Sequence, residues 1–289
     1  MMKSCKTLCV IFIAIFPWKQ IAFAQTPDKI NEVENNLSGV QGAEKDSAWN
    51  ITSRMRHYGV KGVSIALIHN YQIEWTKGYG WADEEARRPV TAETRFQAAS
   101  ISKSLNAVGV LKLVQNDKLD LYTDINQYLT DWKFPYDVKA KDKKISTIEL
   151  LSHTAGLNVH GFEGYQRGAD LPSVIQILDG LPPANSPAIR SVMEPGLRSE
   201  YSGGGVTISQ LIVMDITKMP YAAYMQNEVL NPMVMVNSSY EQPTRIDSTM
   251  LTTGYRENGN EVPGKYHVYP EQAAAGLWTT PADLAKYII

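Results

Sequence analysis

Cysteine is scarce in this 289-residue sequence, and the net charge is close to zero. The only two cysteines are Cys5 and Cys9, so the chain beyond them offers no disulfide, no thiolate nucleophile and no cysteine metal ligand. The 28 basic and 30 acidic residues leave a net charge of −2, without the basic excess that binds nucleic acid by counterion release. We therefore expect no nucleic-acid partner. The hydrophobic content of 44% is that of a folded protein.

A long apolar run is also lacking, and the longest one predicts export rather than a membrane span. Lys3 and Lys6 precede the apolar residues 8–16, and Ala22-Phe23-Ala24 forms a small-residue cleavage site. This run is far shorter than the ~20 residues that span a bilayer. We expect cleavage after Ala24, a periplasmic or secreted protein and no stable membrane anchor. An uncleaved N-terminal anchor is the alternative.

The hydrophobic pattern predicts an α+β fold. The apolar run 63–68 and the alternating residues 72–76 predict a β-hairpin, which Gly78 and Gly80 end. The spacing of apolar residues predicts helices at 47–58, before the hairpin, and at 102–115, 146–151, 171–179, 206–217 and 221–229 after it. A hairpin followed by a helical region favours α+β over alternating βαβ units. We divide the chain into a signal peptide, a polar N-terminal arm and one domain, with bounds 1–24, 25–45 and 46–289.

The histidines do not have the spacing of a metal site. The sequence contains neither an H-x-x-x-H pair nor an H-E-x-x-H motif among its five histidines, which are His57, His69, His153, His160 and His267. We therefore expect no metal site. We also expect no organic cofactor.

Ser100 and Lys103 form a candidate nucleophile and base at the start of the predicted helix 102–115. The spacing i, i+3 puts the hydroxyl and the amine on one helix face. The helix N-terminus supplies free backbone N–H groups that suit an oxyanion, and a neutral lysine amine could take the proton of Ser100. The alternative is a serine cap followed by a solvated lysine.

Tyr201 is a second candidate, in the segment Glu200-Tyr201-Ser202 followed by three glycines. A tyrosine beside a lysine ammonium can serve as general base and acid. Glycines 203–205 allow a backbone to pass close to a neighbouring group. The alternative is a core or turn tyrosine before a flexible loop.

Together these segments resemble the serine β-lactamase-like family of penicillin-recognising hydrolases, in particular the group of class C β-lactamases, DD-peptidases and related esterases. The resemblance rests on five segments in the family's order, at 62–80, 96–105, 150–157, 195–205 and 274–286. It implies a β-lactamase/transpeptidase-like fold, in which an antiparallel sheet packs with a helical region.

The resemblance also implies roles for individual residues. Ser100 is then the acylated nucleophile, Lys103 its activating partner and Tyr201 the proton-relaying base. Gly203 and Trp278 are expected to contact substrate, and His153 to be structural. The implied protein is an exported serine hydrolase that forms an acyl-enzyme at Ser100. Its substrate would be a small molecule or peptide with an amide or ester, namely a β-lactam, a D-amino peptide or a small ester.

Two departures from the family pattern bear on this expectation. The usual Tyr-x-Asn motif is Tyr201-Ser202-Gly203 here, so the amide donor that orients a substrate amide is lost. That weakens the expectation of penicillin recognition but not of ester or other amide hydrolysis. The family's third motif, Lys- or His-x-Gly, is not found, so we expect the domain to be incomplete at its C-terminus. The rival interpretation is a catalytically silent member that binds peptidoglycan fragments or a protein partner.

Overall fold

The computed structural model describes residues 27–37 and 49–289. The predicted signal peptide, residues 1–24, lies outside the described residues, as does part of the predicted arm, 25–45. Among the described residues, no helix combines the length and the apolar character that a membrane crossing requires.

A β-hairpin forms the main sheet. Strand β1 (Gly62–His69) pairs antiparallel with β2 (Gln72–Asp83), from Gly62 opposite Gly80 to His69 opposite Gln72. Asn70 and Tyr71 make the turn with positive φ values of 51° and 57°. The short strand β3 (Arg88–Pro89) pairs with the end of β2 and completes the order β1-β2-β3.

The hairpin is longer than the sequence predicts, because Gly78 and Gly80 lie within β2 rather than after it. A Cβ atom at Gly78 would lie 2.3 Å from the carbonyl oxygen of Val90, where the chain beyond β3 crosses the strand. Gly80 has a φ of 70°, which a residue with a side chain rarely adopts. These glycines permit close backbone contact within a strand and do not end it.

The described residues contain nine α-helices, two of them long. Their order is α1 (Pro27–Asn35), α2 (Ile51–His57), α3 (Ser102–Gln115), α4 (Thr147–Leu151), α5 (Val174–Asp179), α6 (Gly203–Thr217), α7 (Tyr221–Met225), α8 (Gln272–Ala275) and α9 (Pro281–Ile288). Helix α3 has the predicted bounds. Helices α2, α4 and α5 lie within predicted segments and are shorter, whereas α6 begins before its predicted segment. The predicted helix 221–229 is divided into α7 and a π-helical turn, Gln226–Leu230.

Helices α3 and α6 form the centre of the hydrophobic core. Nearly every residue of α6 is buried, and its apolar side chains pack in one cluster with those of α3 and α7. Within this core, buried Asn106 of α3 donates to the Ser209 hydroxyl (3.0 Å) and accepts from the Tyr221 hydroxyl (2.9 Å). Because buried polar groups must find partners, this network holds three helices in one arrangement.

The predicted polar arm contains a helix that packs on the sheet, which differs from our expectation. In α1, Ile30 is buried, Lys29 binds Glu74 (2.5 Å), and Glu34 accepts hydrogen bonds from Lys77 and Tyr79 of β2. Charged residues of the predicted polar arm are therefore partners for residues of β2.

Two short sheets bring distant segments to the start of α3. Strand β4 (Phe96–Gln97) pairs with β7 (Trp278–Thr279), and β5 (Tyr165–Gln166) pairs with β6 (His267–Val268). The Gln97 amide also donates to the His267 carbonyl (2.7 Å). These contacts place residues 266–279 beside the N-terminus of α3.

Candidate active site

Ser100 lies on a short 3₁₀ turn, Ala99–Ile101, that leads into α3. The preceding residue, Ala99, has a φ of 44°, in the left-handed region that non-glycine residues rarely adopt. Lys103 follows in the first turn of α3, and its Nζ donates to Ser100 Oγ at 3.2 Å. The predicted pairing of the hydroxyl and the amine on one helix face is therefore present.

Tyr201, in the segment that precedes α6, contacts the same Ser100 hydroxyl. Its own hydroxyl donates to Ser100 Oγ at 2.8 Å, and Lys103 Nζ lies 5.1 Å from the centre of its ring. The segment is anchored by Ser202, whose side chain caps α6 by accepting from the Gly205 N–H at 2.9 Å. The structure thus brings together the three residues to which the sequence analysis assigns catalysis.

The electrostatic environment of Tyr201 favours its phenolate. Burial of the phenol acts to raise its pKa, but the Lys103 ammonium and the Ser100 hydroxyl stabilise the phenolate. The balance holds the pKa of Tyr201 below its ordinary value. A tyrosine with a lowered pKa beside a serine hydroxyl is suited to accept that hydroxyl's proton.

A contact that the sequence analysis did not identify holds Lys103 in place. Lys103 Nζ donates to the carbonyl oxygen of Ala274, in α8, at 2.7 Å. The two residues are 171 positions apart, and a backbone acceptor has no residue-type signal. Only the resemblance of segment 274–286 pointed to this part of the chain.

The site lies at the surface of the molecule. Ser100 is exposed, and Tyr201 is 42% exposed. A reacting group could therefore approach Ser100 from solvent.

The comparisons with known proteins identify the family. The sequence model of the family described as Beta-lactamase matches residues 48–289. This chain belongs to the Beta-lactamase family.

Two individual relatives are similar to this chain at low sequence identity. The chain is similar to Protein flp of Staphylococcus aureus (strain N315), with 28% identity over 233 residues, covering 77% of this chain and 42% of that protein. It is also similar to the putative penicillin-binding protein PbpX of Bacillus subtilis (strain 168), with 24% identity over 279 residues, covering 94% of this chain and 66% of that protein. The chain spans less than half of the length of Protein flp.

Solved structures show the same fold. The octameric penicillin-binding protein homologue from Pyrococcus abyssi aligns with a TM-score of 0.63 and 24% identity, covering 82% of this chain and 54% of that one. The β-lactamase/D-alanine carboxypeptidase from Pseudomonas syringae aligns with a TM-score of 0.63 and 21% identity, covering 82% and 62%. The predicted α+β, β-lactamase/transpeptidase-like fold is confirmed.

His153 contacts the Tyr201 segment. Its ring centre lies 4.5 Å from that of Tyr201, and its Nδ1 accepts from the Ser202 N–H at 3.2 Å. Its carbonyl oxygen accepts from the Glu200 N–H at 2.7 Å. Burial, together with the charge of Lys103, lowers the pKa of His153, so that the ring is neutral at neutral pH. These contacts fit the structural role expected of His153 in this family member.

The structure places Gly203 and Trp278 in the interior. Gly203 is buried in α6, and its N–H donates to the His160 carbonyl at 3.0 Å. Trp278 is 0% exposed, and its ring packs edge-on against Tyr266 at 5.0 Å. Their burial gives no support to substrate contact, which stays a prediction for both residues.

One carboxylate cluster among the described residues has the spacing of a metal site. Oxygens of Asp83, Glu85 and Glu261 lie within 4.8 Å of one another. The Lys265 ammonium lies among them, with Nζ at 2.7 Å from Glu261, 2.8 Å from Glu85 and 3.4 Å from Asp83. The lysine already supplies the positive charge that these carboxylates require.

Proposed function

We propose that this member of the Beta-lactamase family is an exported serine hydrolase that forms an acyl-enzyme at Ser100. The observation that supports this most directly is the position of Ser100 Oγ, which is 3.2 Å from Lys103 Nζ and 2.8 Å from the Tyr201 hydroxyl. A nucleophile in contact with two groups that can take its proton is the arrangement that covalent catalysis requires. The proposed export rests on residues 1–24 of the sequence.

In the first half of the reaction, Ser100 Oγ attacks the carbonyl carbon of an amide or ester. Its proton passes to the Tyr201 phenolate, which reverses the direction of the hydrogen bond between Tyr201 and Ser100, or to Lys103 when the lysine is the neutral amine. The Ser100 N–H, in the first turn of a helix, is positioned to stabilise the oxyanion. Collapse of the tetrahedral intermediate breaks the bond to the leaving group, which takes up the proton.

In the second half, water attacks the ester carbonyl of acylated Ser100. Tyr201 is again placed to accept a proton, here from the attacking water, and to return one to Ser100 Oγ as the acid product leaves. Whenever Tyr201 has given up its proton, the Lys103 ammonium, held by Ala274, stabilises the phenolate. No metal or organic cofactor enters this scheme.

Gly203 bears on the substrate class. Since it carries no side chain and its N–H is bound to His160, this position offers no amide donor to a substrate amide. We therefore favour small esters or compact amides over penicillin-type β-lactams. A D-amino peptide is the further candidate, because the β-lactamase/D-alanine carboxypeptidase from Pseudomonas syringae has the same fold.

The test measures turnover of three substrates by the full chain: a β-lactam, a D-alanyl-D-alanine peptide and a short-chain activated ester. We expect turnover of the activated ester, and we expect Ser100→Ala to abolish it. Ser104→Ala is the matched control, because Ser104 lies one turn further along α3 and its hydroxyl only binds the Ile101 carbonyl. Turnover that survives in Ser100→Ala contradicts the proposal. Binding of peptidoglycan fragments without any turnover would favour a catalytically silent member.

A further inference from the structure

Glu271 is a buried carboxyl group that the proposed reaction does not use. Its exposed fraction is 0%, and neither side-chain oxygen has a hydrogen-bond partner among the described residues. An unpaired carboxylate is costly in such surroundings, so the neutral acid is favoured. Burial raises the pKa of Glu271 to about 7, against a smaller opposing effect of its own backbone N–H.

Glu271 immediately precedes α8, the helix that holds Lys103. The Glu271 carbonyl accepts from the N–H groups of Ala274 and Ala275, both at 3.0 Å, and the Ala274 carbonyl accepts from Lys103 Nζ at 2.7 Å. Gln210 of α6 holds the same turn, because its side chain donates to the Pro270 carbonyl (3.0 Å) and accepts from the Ala273 N–H (2.9 Å). One short segment therefore carries both the buried carboxyl and the acceptor of Lys103.

The surroundings supply no counter-charge for an ionised Glu271. No lysine, arginine or histidine forms an ion pair with it in the part of the chain that the structure describes. Burial, with a contribution from the charge of Glu271, raises the pKa of both Tyr165 and Tyr269. The titratable, charged and polar groups of the elements around α8 are Lys103 (α3), Ser100 (the 3₁₀ turn), Gln210 (α6), Tyr165 (β5), His267 (β6) and Tyr269 (the preceding loop).

We propose that Glu271 is a positioning residue for Lys103: its neutral form keeps residues 271–275 packed with the Ala274 carbonyl against the ammonium, and its ionisation loosens this contact. Glu271 forms no hydrogen bond to Ser100 or Lys103 and is not a catalytic residue. The inference rests on the proposed function, since it assumes that Lys103 acts on Ser100. It makes acylation depend on pH in a way that neither Lys103 nor Tyr201 accounts for.

The experiment compares Glu271→Gln with the wild-type full chain, using an activated ester to acylate Ser100 from about pH 5.5 to pH 9. Glutamine keeps the shape of the neutral acid but cannot ionise. Because titrations of Lys103 and Tyr201 cancel in the ratio of the two rates, the ratio should stay near one at low pH. If only the neutral form of Glu271 supports acylation, a single ionisation near pH 7 makes the ratio rise to about 30-fold in favour of the variant at about pH 8.5. The exposed Glu93→Gln is the matched control, with an expected ratio of one throughout.

Two further measurements keep the test decisive. If Glu271→Gln fails to fold, infrared spectroscopy of the wild-type chain should still detect a carboxylic acid that remains protonated at about pH 6, well above the ordinary glutamate pKa. A ratio near one at every pH, or no such protonated acid, overturns the inference. Acylation that proceeds equally well in Ser100→Ala refutes instead the proposed function, an outcome that the comparison of Glu271 variants cannot produce.

Discussion

At the scale of single residues, the Tyr201 hydroxyl can be removed while the packing of the ring is kept, so that its role in proton transfer can be measured alone. Tyr201→Phe keeps the ring that packs against His153 but removes the hydroxyl that contacts Ser100 Oγ. Since general acid–base catalysis contributes roughly 10²–10⁴-fold, we expect acylation by an activated ester to slow by about that factor at unchanged stability. Tyr122→Phe is the control, because Tyr122 is 77% exposed. A rate within about threefold of the wild type would show that Tyr201 does not relay the proton.

Substitutions of His153 test whether its contact with the Tyr201 segment positions Tyr201 for catalysis. Asparagine can place its side-chain oxygen near the position of Nδ1, accept from the Ser202 N–H and adopt the φ of 60° that His153 has. Alanine supplies no acceptor. A misplaced catalytic group can cost about 10²-fold, so we expect a loss of that order in His153→Ala and a much smaller one in His153→Asn. Equal rates for the two variants, measured by single-turnover acylation, would contradict the positioning role.

Residues whose chemistry is in their side chains are the part of the site that a sequence can indicate. Residue type and spacing make Ser100, Lys103 and Tyr201 candidates, the family resemblance implies their roles, and the structure brings them together. Ala274 has no such signal, because it acts through its backbone carbonyl. The resemblance also implies substrate contact for Gly203 and Trp278, but a motif does not show whether a residue is buried, and both are.

At the scale of elements, the end of β2 was the least predictable part of the hairpin. Glycine in this segment predicts the end of the strand, but Gly78 and Gly80 continue it because other segments approach their backbones closely. Helix α3 was predictable to the residue, since its apolar side chains repeat at helical spacing over four turns. The hydrophobic pattern therefore predicts the bounds of α3 well, because residues within the helix determine them. It fails at the end of β2, because contacts with another segment determine where that strand ends.

Gly78→Ala tests this interpretation of β2. The added Cβ would lie 2.3 Å from the Val90 carbonyl oxygen, so either β2 or the chain after β3 must move. Overpacking of this kind costs about 1–3 kcal/mol, and we expect at least that loss in the free energy of unfolding by denaturant titration. Gly161→Ala is the control, since nothing lies within 4 Å of its added Cβ; its change should stay within about 0.5 kcal/mol. Equal stabilities would show that β2 has room for the methyl group.

At the scale of the whole molecule, α1 attaches an N-terminal segment to the sheet through charged groups. The Lys77 hydrogen bond, with that of Tyr79, outweighs partial burial and lowers the pKa of Glu34. A lowered pKa in the folded state means that this stabilisation is present above the ordinary glutamate pKa and lost as the pH falls through the lowered value. Acid should therefore release α1 from the sheet, because it removes the charge of Glu34. The core should stay folded, because such ion pairs contribute only about 0.2–1 kcal/mol.

Hydrogen exchange measures this release. We expect the amides of α1 to exchange faster at about pH 3.5 than at about pH 6, after correction for the intrinsic pH dependence of exchange, while those of α6 stay protected. Glu34→Gln should make α1 exchange fast at both values. The exposed Glu32→Gln should behave as the wild type. Protection of α1 that does not depend on pH or on Glu34 would mean that apolar contacts such as Ile30 hold the helix alone.

The central claim is that Ser100 is the nucleophile of a serine hydrolase, and peptide mass spectrometry tests it most directly. The full chain is treated with a fluorophosphonate, digested and searched for the mass of the adduct. We predict one adduct per chain on Ser100, none in Ser100→Ala, and labelling slowed by orders of magnitude in Lys103→Ala, because a nucleophile and its base act as a unit. An adduct on another residue, or labelling that persists in Ser100→Ala, would contradict the account.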